Sequence, residues 1–261
     1  MVATYLDAIL ERHRREAASD HRDLGELRRS AQNCEPRGFI SALRSESTQL
    51  GVIAEIKRHS PSAGDLFADL SPSALAAEYE AGGARCLSVL TEGPAFHGSP
   101  DDLREARQSC SLPVLRKDFT VCERDVLDAA VMGADAILLI AAALTHEELL
   151  TLSGLADNLG LDVLLELHDE ADLAVLSLRD WAMVGVNRRD LVSFTIDQDR
   201  AAQLYASLPG SALRVAESGM RSTKDAQDLA SLGFEAVLIG ELFVRSPEPR
   251  LAVAEIASTA R

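Results

Sequence analysis

Residues 52–64 read VIAEIKRHSPSAG, and two charges interrupt an otherwise apolar run, Glu55 and Lys57. A strand alternates its faces, so residues two apart point the same way, and an acid and a base are aimed together. The same arrangement recurs further along. Lys117 stands in VLRKDF, Glu166 in LLELH and Glu217 in VAESG, each inside or at the end of an apolar segment. Asn187 closes MVGVN, and Ser218 follows Glu217 directly. Burying an unpaired charge costs several kcal/mol or more, so such residues must pair with one another or meet a ligand. Carboxylates and ammonium groups sharing one cavity also drive their pKa values apart, which is what separate acid and base roles require. The chemistry these residue types suit is proton transfer on an anionic substrate.

Something must bring those positions together. Eight apolar segments are predicted as strands: VIAEIK, CLSVLTE, PVLRKD, AILLIAAA, DVLLELH, MVGVN, LRVAES and AVLIG. Helical segments separate them, including PSALAAEYEAGG, CERDVLDAAVMG, THEELLTLSGLADNLG, DEADLAVLSL and STKDAQDLASLG, and EPRLAVAEIAS closes the chain. Gly83, Gly133, Gly160 and Gly233 sit where helix C-caps belong, and Ser71, Thr145 and Ser222 where N-caps belong. Eight strand–helix units predict a (β/α)₈ barrel. The competing doubly wound sheet usually carries a Gly-rich turn after its first strand, and none is present. Residues 4–45 are charged and mostly helical, with Thr4 a cap and Leu6, Ile9 and Leu10 an apolar stripe. One domain over residues 1–261 is expected, in which residues 1–48 form a helical extension covering the barrel mouth.

Barrels of this kind place their chemistry at the C-terminal ends of the strands. The polar residues found there are Glu55 and Lys57, then Ser88, Thr91 and Glu92, then Arg116, Lys117 and Asp118. Glu166 and His168, Asn187, Arg188 and Arg189, Glu217, Ser218 and Gly219, and finally Gly240 and Glu241 complete the set. The fourth strand ends in apolar residues, with Leu138 a candidate for a pocket wall. His168 precedes DEADL and is read as opening the next helix. Glycines in ESGMRS and IGELF suit an anion on the last two loops, with Lys57 a counter-charge across the mouth.

The whole-chain properties restrict the partners. A net charge of −15 argues against nucleic acid and anionic membranes as general partners, though not against a small anion held by a local cluster. Cys34, Cys86, Cys110 and Cys122 form no C-x-x-C pair and are expected as reduced thiols. The six histidines show no metal-ligand spacing, so no metal is expected. The N-terminus carries too many charges for a signal peptide, and no apolar run approaches a membrane span. A cytoplasmic protein, a monomer or weak homo-oligomer, is expected.

The motifs IAEIKRHSPSAG, YEAGGARCLSVLTE, FHGS, LPVLRKDF, GADAILLI, GVNRRDL, VAESGM and LIGELFVRSPEP, in that order, resemble the indole-3-glycerol phosphate synthase family from about Leu6 to the final helix. The resemblance implies a (β/α)₈ enzyme with an N-terminal extension and no cofactor or metal. Such an enzyme converts 1-(2-carboxyphenylamino)-1-deoxyribulose 5-phosphate to indole-3-glycerol phosphate with loss of CO₂ and water. It further implies roles. Lys117 would protonate the ketone oxygen, and Glu166 would be acid or base in the dehydration. Glu55 and Asn187 would orient the reacting groups, and Lys57 would bind the substrate anion. Glu217 and Ser218 would contact hydroxyls, and Arg189 would pair with the carboxylate network. Ser60, Gly219 and Gly240 would cradle the phosphate. Pro61, Phe96, Phe119, Leu138, Leu191 and Ile239 would form the slot for the aromatic ring. The sequence departs from the family pattern at His59, Ala63, Arg188, Leu242 and Trp181. Two other readings stand beside it: another phosphosugar barrel such as phosphoribosylanthranilate isomerase, or a non-catalytic phosphate-binding barrel. Under the first reading the product feeds tryptophan synthesis or a specialised indole pathway.

Overall fold

The computed structural model describes residues 5–44, 48–61, 64–67, 70–190 and 193–261. Thr4, Ala63 and Leu191, each singled out above, lie outside the described residues. Eight parallel strands close into a barrel: β1 (Gly51–Ile56), β2 (Cys86–Leu90), β3 (Val114–Lys117), β4 (Ala136–Ile140), β5 (Asp162–Leu167), β6 (Met183–Asn187), β7 (Leu213–Glu217) and β8 (Ala236–Ile239). Each strand pairs with its sequence neighbours, and β8 pairs with β1 through Val52 opposite Val237 and Ala54 opposite Ile239. Both faces of these strands are covered, which is why they read as near-continuous Val, Ile, Leu and Ala runs.

Alternation sorts the side chains into two cores. Val52, Ala54 and Ile56 of β1 pack outward into the layer between barrel and helices, with Leu87 and Val89 of β2. Ile53, Cys86, Leu115, Leu138, Leu164, Met183, Val215 and Leu238 fill the interior. Around the barrel run α4 (Pro72–Ala81), α5 (Pro100–Gln108), α6 (Glu123–Met132), α7 (His146–Asn158), α8 (Arg200–Tyr205), α9 (Thr223–Leu232), α10 (Glu241–Val244) and α11 (Pro249–Ala257). Ser71, Thr145 and Ser222 cap α4, α7 and α9 through their side chains, as their types predict. Gly83, Gly133, Gly160 and Gly233 all adopt positive φ where these elements end. The segment DEADLAVLSL departs from the prediction: it forms a 3-10 stretch, Ala171–Ser177, and no α-helix. Trp181 folds back beneath it, and its indole N–H donates to the Val175 carbonyl at 3.0 Å. That accounts for a buried aromatic ahead of β6.

The N-terminal segment spans the barrel from end to end. In α1 (Tyr5–Ser19), Arg12 pairs with Glu92 beyond β2, and Arg14 meets Glu148 at 2.6 Å and the Ala143 carbonyl at 3.1 Å beyond β4. These contacts put α1 on the C-terminal side. Next, α2 (Leu24–Ala31) packs along α6, and α3 (Phe39–Leu43) reaches the opposite end. Phe39 and Leu43 there join the interior core with Cys86, Ala136, Leu213 and Ala236 at the strand starts. Asp162 accepts from the Ile40 N–H at 2.8 Å and fixes that plug to β5.

One buried acid knits strand and helices together at this lower end. Asp135 accepts from the Val114 N–H at 2.6 Å and the Arg37 N–H at 2.5 Å, and Arg107 balances its charge at 2.5 Å. The Asp135 side chain is fully buried, so removing the cation strands a charge. Arg107→Ala is expected to lower the unfolding free energy by about 3 kcal/mol, read from urea denaturation. A change within about 0.5 kcal/mol, that of a neutral surface substitution, would refute this account.

Candidate active site

The inward positions of β1 continue past the strand end, so Glu55 and Lys57 both face the cavity and form an ion pair. On β3 the triplet Arg116-Lys117-Asp118 is split by the same alternation. Lys117 turns inward, while Arg116 turns outward to the Asp125 carbonyl at 2.7 Å and pairs at 3.0 Å with Asp118, which borders the cavity. Of the three charges only Lys117 enters the cluster. Its ammonium donates to Glu166 at 2.6 Å and lies 3.5 Å from Glu217.

Space for these side chains is built into the backbone. Gly185 faces inward on β6, and a Cβ there would collide with the Glu217 carboxylate. A Cβ at Gly240 would likewise collide with the carboxylate of Glu55. Both glycines are close-approach positions, one of the two uses of a missing side chain.

The charges in this cluster are uneven. Burial opposes the charged form of Lys117, but Glu166, Glu217 and Glu55 outweigh it and hold the ammonium above its ordinary pKa. Burial would raise Glu166 as well, yet Lys117 and then His168 hold it well below the ordinary carboxylate range. Glu217 moves the other way: burial first, and the neighbouring charge of Glu166 second, push it well above that range. Two acids around one lysine are therefore pushed in opposite directions, Glu166 down by the Lys117 charge and Glu217 up by burial and by the Glu166 charge.

The cavity occupies about 1160 Å³ at the C-terminal end of the barrel. Glu55, Lys57, Lys117, Glu166, Asn187, Glu217 and Ser218 all line it. So do Ser60, Pro61, Phe96, Phe119, Leu138, Arg189, Gly219, Ile239, Gly240 and Glu241. Ser88 does not. It is fully buried on β2, level with Glu55 in the strand register, and its hydroxyl has no hydrogen-bond partner among the described residues. Asn187 turns its side-chain oxygen to the Arg189 N–H at 3.0 Å. The Arg189 guanidinium donates to the Phe194 carbonyl at 3.1 Å, a loop contact and not a carboxylate pair. Ser218 and Gly219 both adopt positive φ, 64° and 69°, and turn the chain after β7.

Several residues at the site were passed over in the sequence. His168 opens no helix; its Nε2 lies 3.2 Å from Glu166, and the ring is buried. The alternation Leu164, Glu166, His168 carried that signal. Arg188 braces the turn after β7, donating to the Ser218 carbonyl at 2.6 Å and to Gln198 at 2.8 Å. Nothing in one sequence marks that contact. Leu90, Ile140 and Leu238 extend the apolar wall. Above it, the His13 ring of α1 lies 5.5 Å from Phe119, and Tyr5 meets Phe194 edge-on at 5.4 Å.

Comparison with known proteins adds an independent line. The family model for indole-3-glycerol phosphate synthase matches residues 6–256. The chain is 44% identical over 260 residues to the indole-3-glycerol phosphate synthase of Mycobacterium avium, covering 98% of this chain and 94% of that protein. The protein of that name from Mycobacterium tuberculosis is 42% identical over 259 residues, with the same coverage. Among solved structures, 3-hexulose-6-phosphate synthase from Salmonella typhimurium aligns with a TM-score of 0.60 at 13% identity, covering 80% of this chain and 97% of the other. At that identity the likeness speaks for the barrel alone. No helix among the described residues is long and apolar enough to cross a membrane.

Proposed function

The chain belongs to the indole-3-glycerol phosphate synthase family, a family of carboxy-lyases, and from that premise we propose how its cavity carries the reaction. The observation that supports the assignment is Lys117 held between two buried acids, 2.6 Å from Glu166 and 3.5 Å from Glu217, whose pKa values are driven in opposite directions.

The substrate is 1-(2-carboxyphenylamino)-1-deoxyribulose 5-phosphate. Its aromatic ring occupies the apolar slot lined by Pro61, Phe96, Phe119, Leu138 and Ile239. Ser60, Gly219 and Gly240 receive the phosphate, and Lys57, balanced by Glu55, supplies the cationic contact to the substrate anion. In the first step the ring carbon bearing the carboxylate attacks the ketone carbon. A carbon–carbon bond forms, and the ketone oxygen takes a proton from the Lys117 ammonium. Loss of CO₂ then leaves its bonding electrons in the ring system, a departure that an apolar wall favours because it does not solvate the carboxylate. In the last step the new hydroxyl leaves as water with a proton from Glu217. Glu166 takes the proton from the carbon beside nitrogen, and the indole ring is complete. Asn187 and Ser218 orient the sugar hydroxyls. Opposite pKa shifts on two acids around one lysine suit this division into donor and acceptor.

Purified protein is expected to convert the carboxyphenylamino substrate to indole-3-glycerol phosphate without added metal, followed as a rise in indole fluorescence. Folded protein that binds the substrate and gives no rise would overturn the proposal and leave a phosphate-binding barrel in its place.

A further inference from the structure

We propose that His59, Asp65 and His97 form a binding site for a first-row divalent transition-metal ion, of the Zn²⁺ class, on the rim of the cavity. The two nitrogens face one carboxylate oxygen: His59 Nδ1 lies 2.9 Å and His97 Nδ1 3.6 Å from the same Oδ1 of Asp65. The imidazole rings stack with centroids 4.3 Å apart and planes at 26°. All three donor atoms fall within 4.8 Å of one another. Donors around a tetrahedral zinc ion stand about 3.3 Å apart, so small ring rotations at this exposed site bring the set to bonding distance. Two imidazoles and a carboxylate with an open fourth position form a familiar donor set for such ions.

The backbone places the donors from two separate loops. His59 and Asp65 are direct partners in a short antiparallel ladder, His59–Ser60 with Gly64–Asp65, beyond β1. His97 lies in the turn beyond β2 with φ of 55°, a conformation non-glycine residues seldom adopt. That turn is held by the His97 N–H on the Gly93 carbonyl at 2.8 Å and the Gly98 N–H on the Glu92 carbonyl at 2.9 Å. Neither histidine lines the cavity, but their neighbours Ser60, Pro61 and Phe96 do. A bound ion therefore ties together the two loops that carry these wall residues. The site is separate from the proton-transfer cluster, and none of its three donors lines the cavity.

The test uses tag-free protein titrated with Co²⁺ alone, read by its visible ligand-field absorption, then displaced by Zn²⁺ in competition with a chromophoric chelator. One saturable equivalent per chain is expected. His59→Asn and His97→Asn are each expected to weaken binding at least about tenfold, since loss of a ligand exceeds the effect of losing its supporting partner. Asn tolerates the left-handed φ at position 97, and circular dichroism of each variant reports its fold. Equal Co²⁺ affinity in the parent and the doubly substituted chain, or no saturable binding, overturns the site.

Discussion

Lys117→Ala is expected to lower kcat by about 10³-fold, within the range that a positioned proton donor contributes. The substitution removes the proposed acid, and it also removes the cation that holds Glu166 below the ordinary carboxylate range. With Lys117 gone, burial favours the neutral form of Glu166 as it already does for Glu217, so the donor and acceptor roles collapse into one. The fold is expected to persist. Lys117 is the last residue of β3, and the interior packing below it rests on Leu115, Leu138, Leu164 and Val215. Lys117→Arg separates charge from proton transfer: it restores a cation beside Glu166, but a guanidinium does not give up its proton in this range. Both variants are therefore expected to bind substrate and not turn it over, by indole fluorescence under saturating substrate. Near-normal turnover in either one removes Lys117 from the acid role.

Much of the barrel could be read from the chain because its signals are local and repeated. Helix caps at Ser71, Thr145 and Ser222 and positive-φ glycines at Gly83, Gly133, Gly160 and Gly233 stand where their residue types place them. Period-two alternation places Glu55, Lys57, Lys117, Glu166, Asn187 and Glu217 inward, and all six line one cavity. The same rule places His168 inward, but a following DEADL that looked helical masked it. What escaped the sequence is nonlocal. Ser88 points the right way yet sits fully buried, and depth along a strand depends on register with its neighbours, Glu55 and Leu115. The path of the N-terminal segment, α1 at the mouth and α3 at the far end, depends on contacts such as Arg12 with Glu92 and Ile40 with Asp162, 80 and 122 residues apart. Only the pairing reveals that Arg116 and Asp118, which carry charges beside Lys117, bind each other and stay out of its cluster, although Asp118 lines the cavity beside His13.

Glu166→Gln tests the electrostatic arrangement itself. The substitution keeps the shape and removes one negative charge from the cluster. Lys117 is held above its ordinary pKa against the opposing effect of burial, and Glu166 is the foremost of the carboxylates that do so. Without it burial gains, and the lysine gives up its proton at lower pH. Glu217 moves the same way: its pKa is raised by burial and by the Glu166 charge, so removing that charge lowers it toward an ordinary carboxyl. Both proposed donors exist in their working, protonated forms below their pKa values and lose them as pH rises. In the variant both losses come earlier. The alkaline limb of kcat is therefore expected to move toward acid by at least about one pH unit, the low end for a charge within contact distance. The maximal rate falls by about 10²-fold as the proposed acceptor is lost. A rate loss alone would also follow from damaged packing, whereas the displaced limb requires that Glu166 sets the protonation of its neighbours. An unchanged pH profile in a folded Glu166→Gln protein would separate Lys117 and Glu217 from Glu166, and would remove the electrostatic coupling on which the proposed division of labour depends.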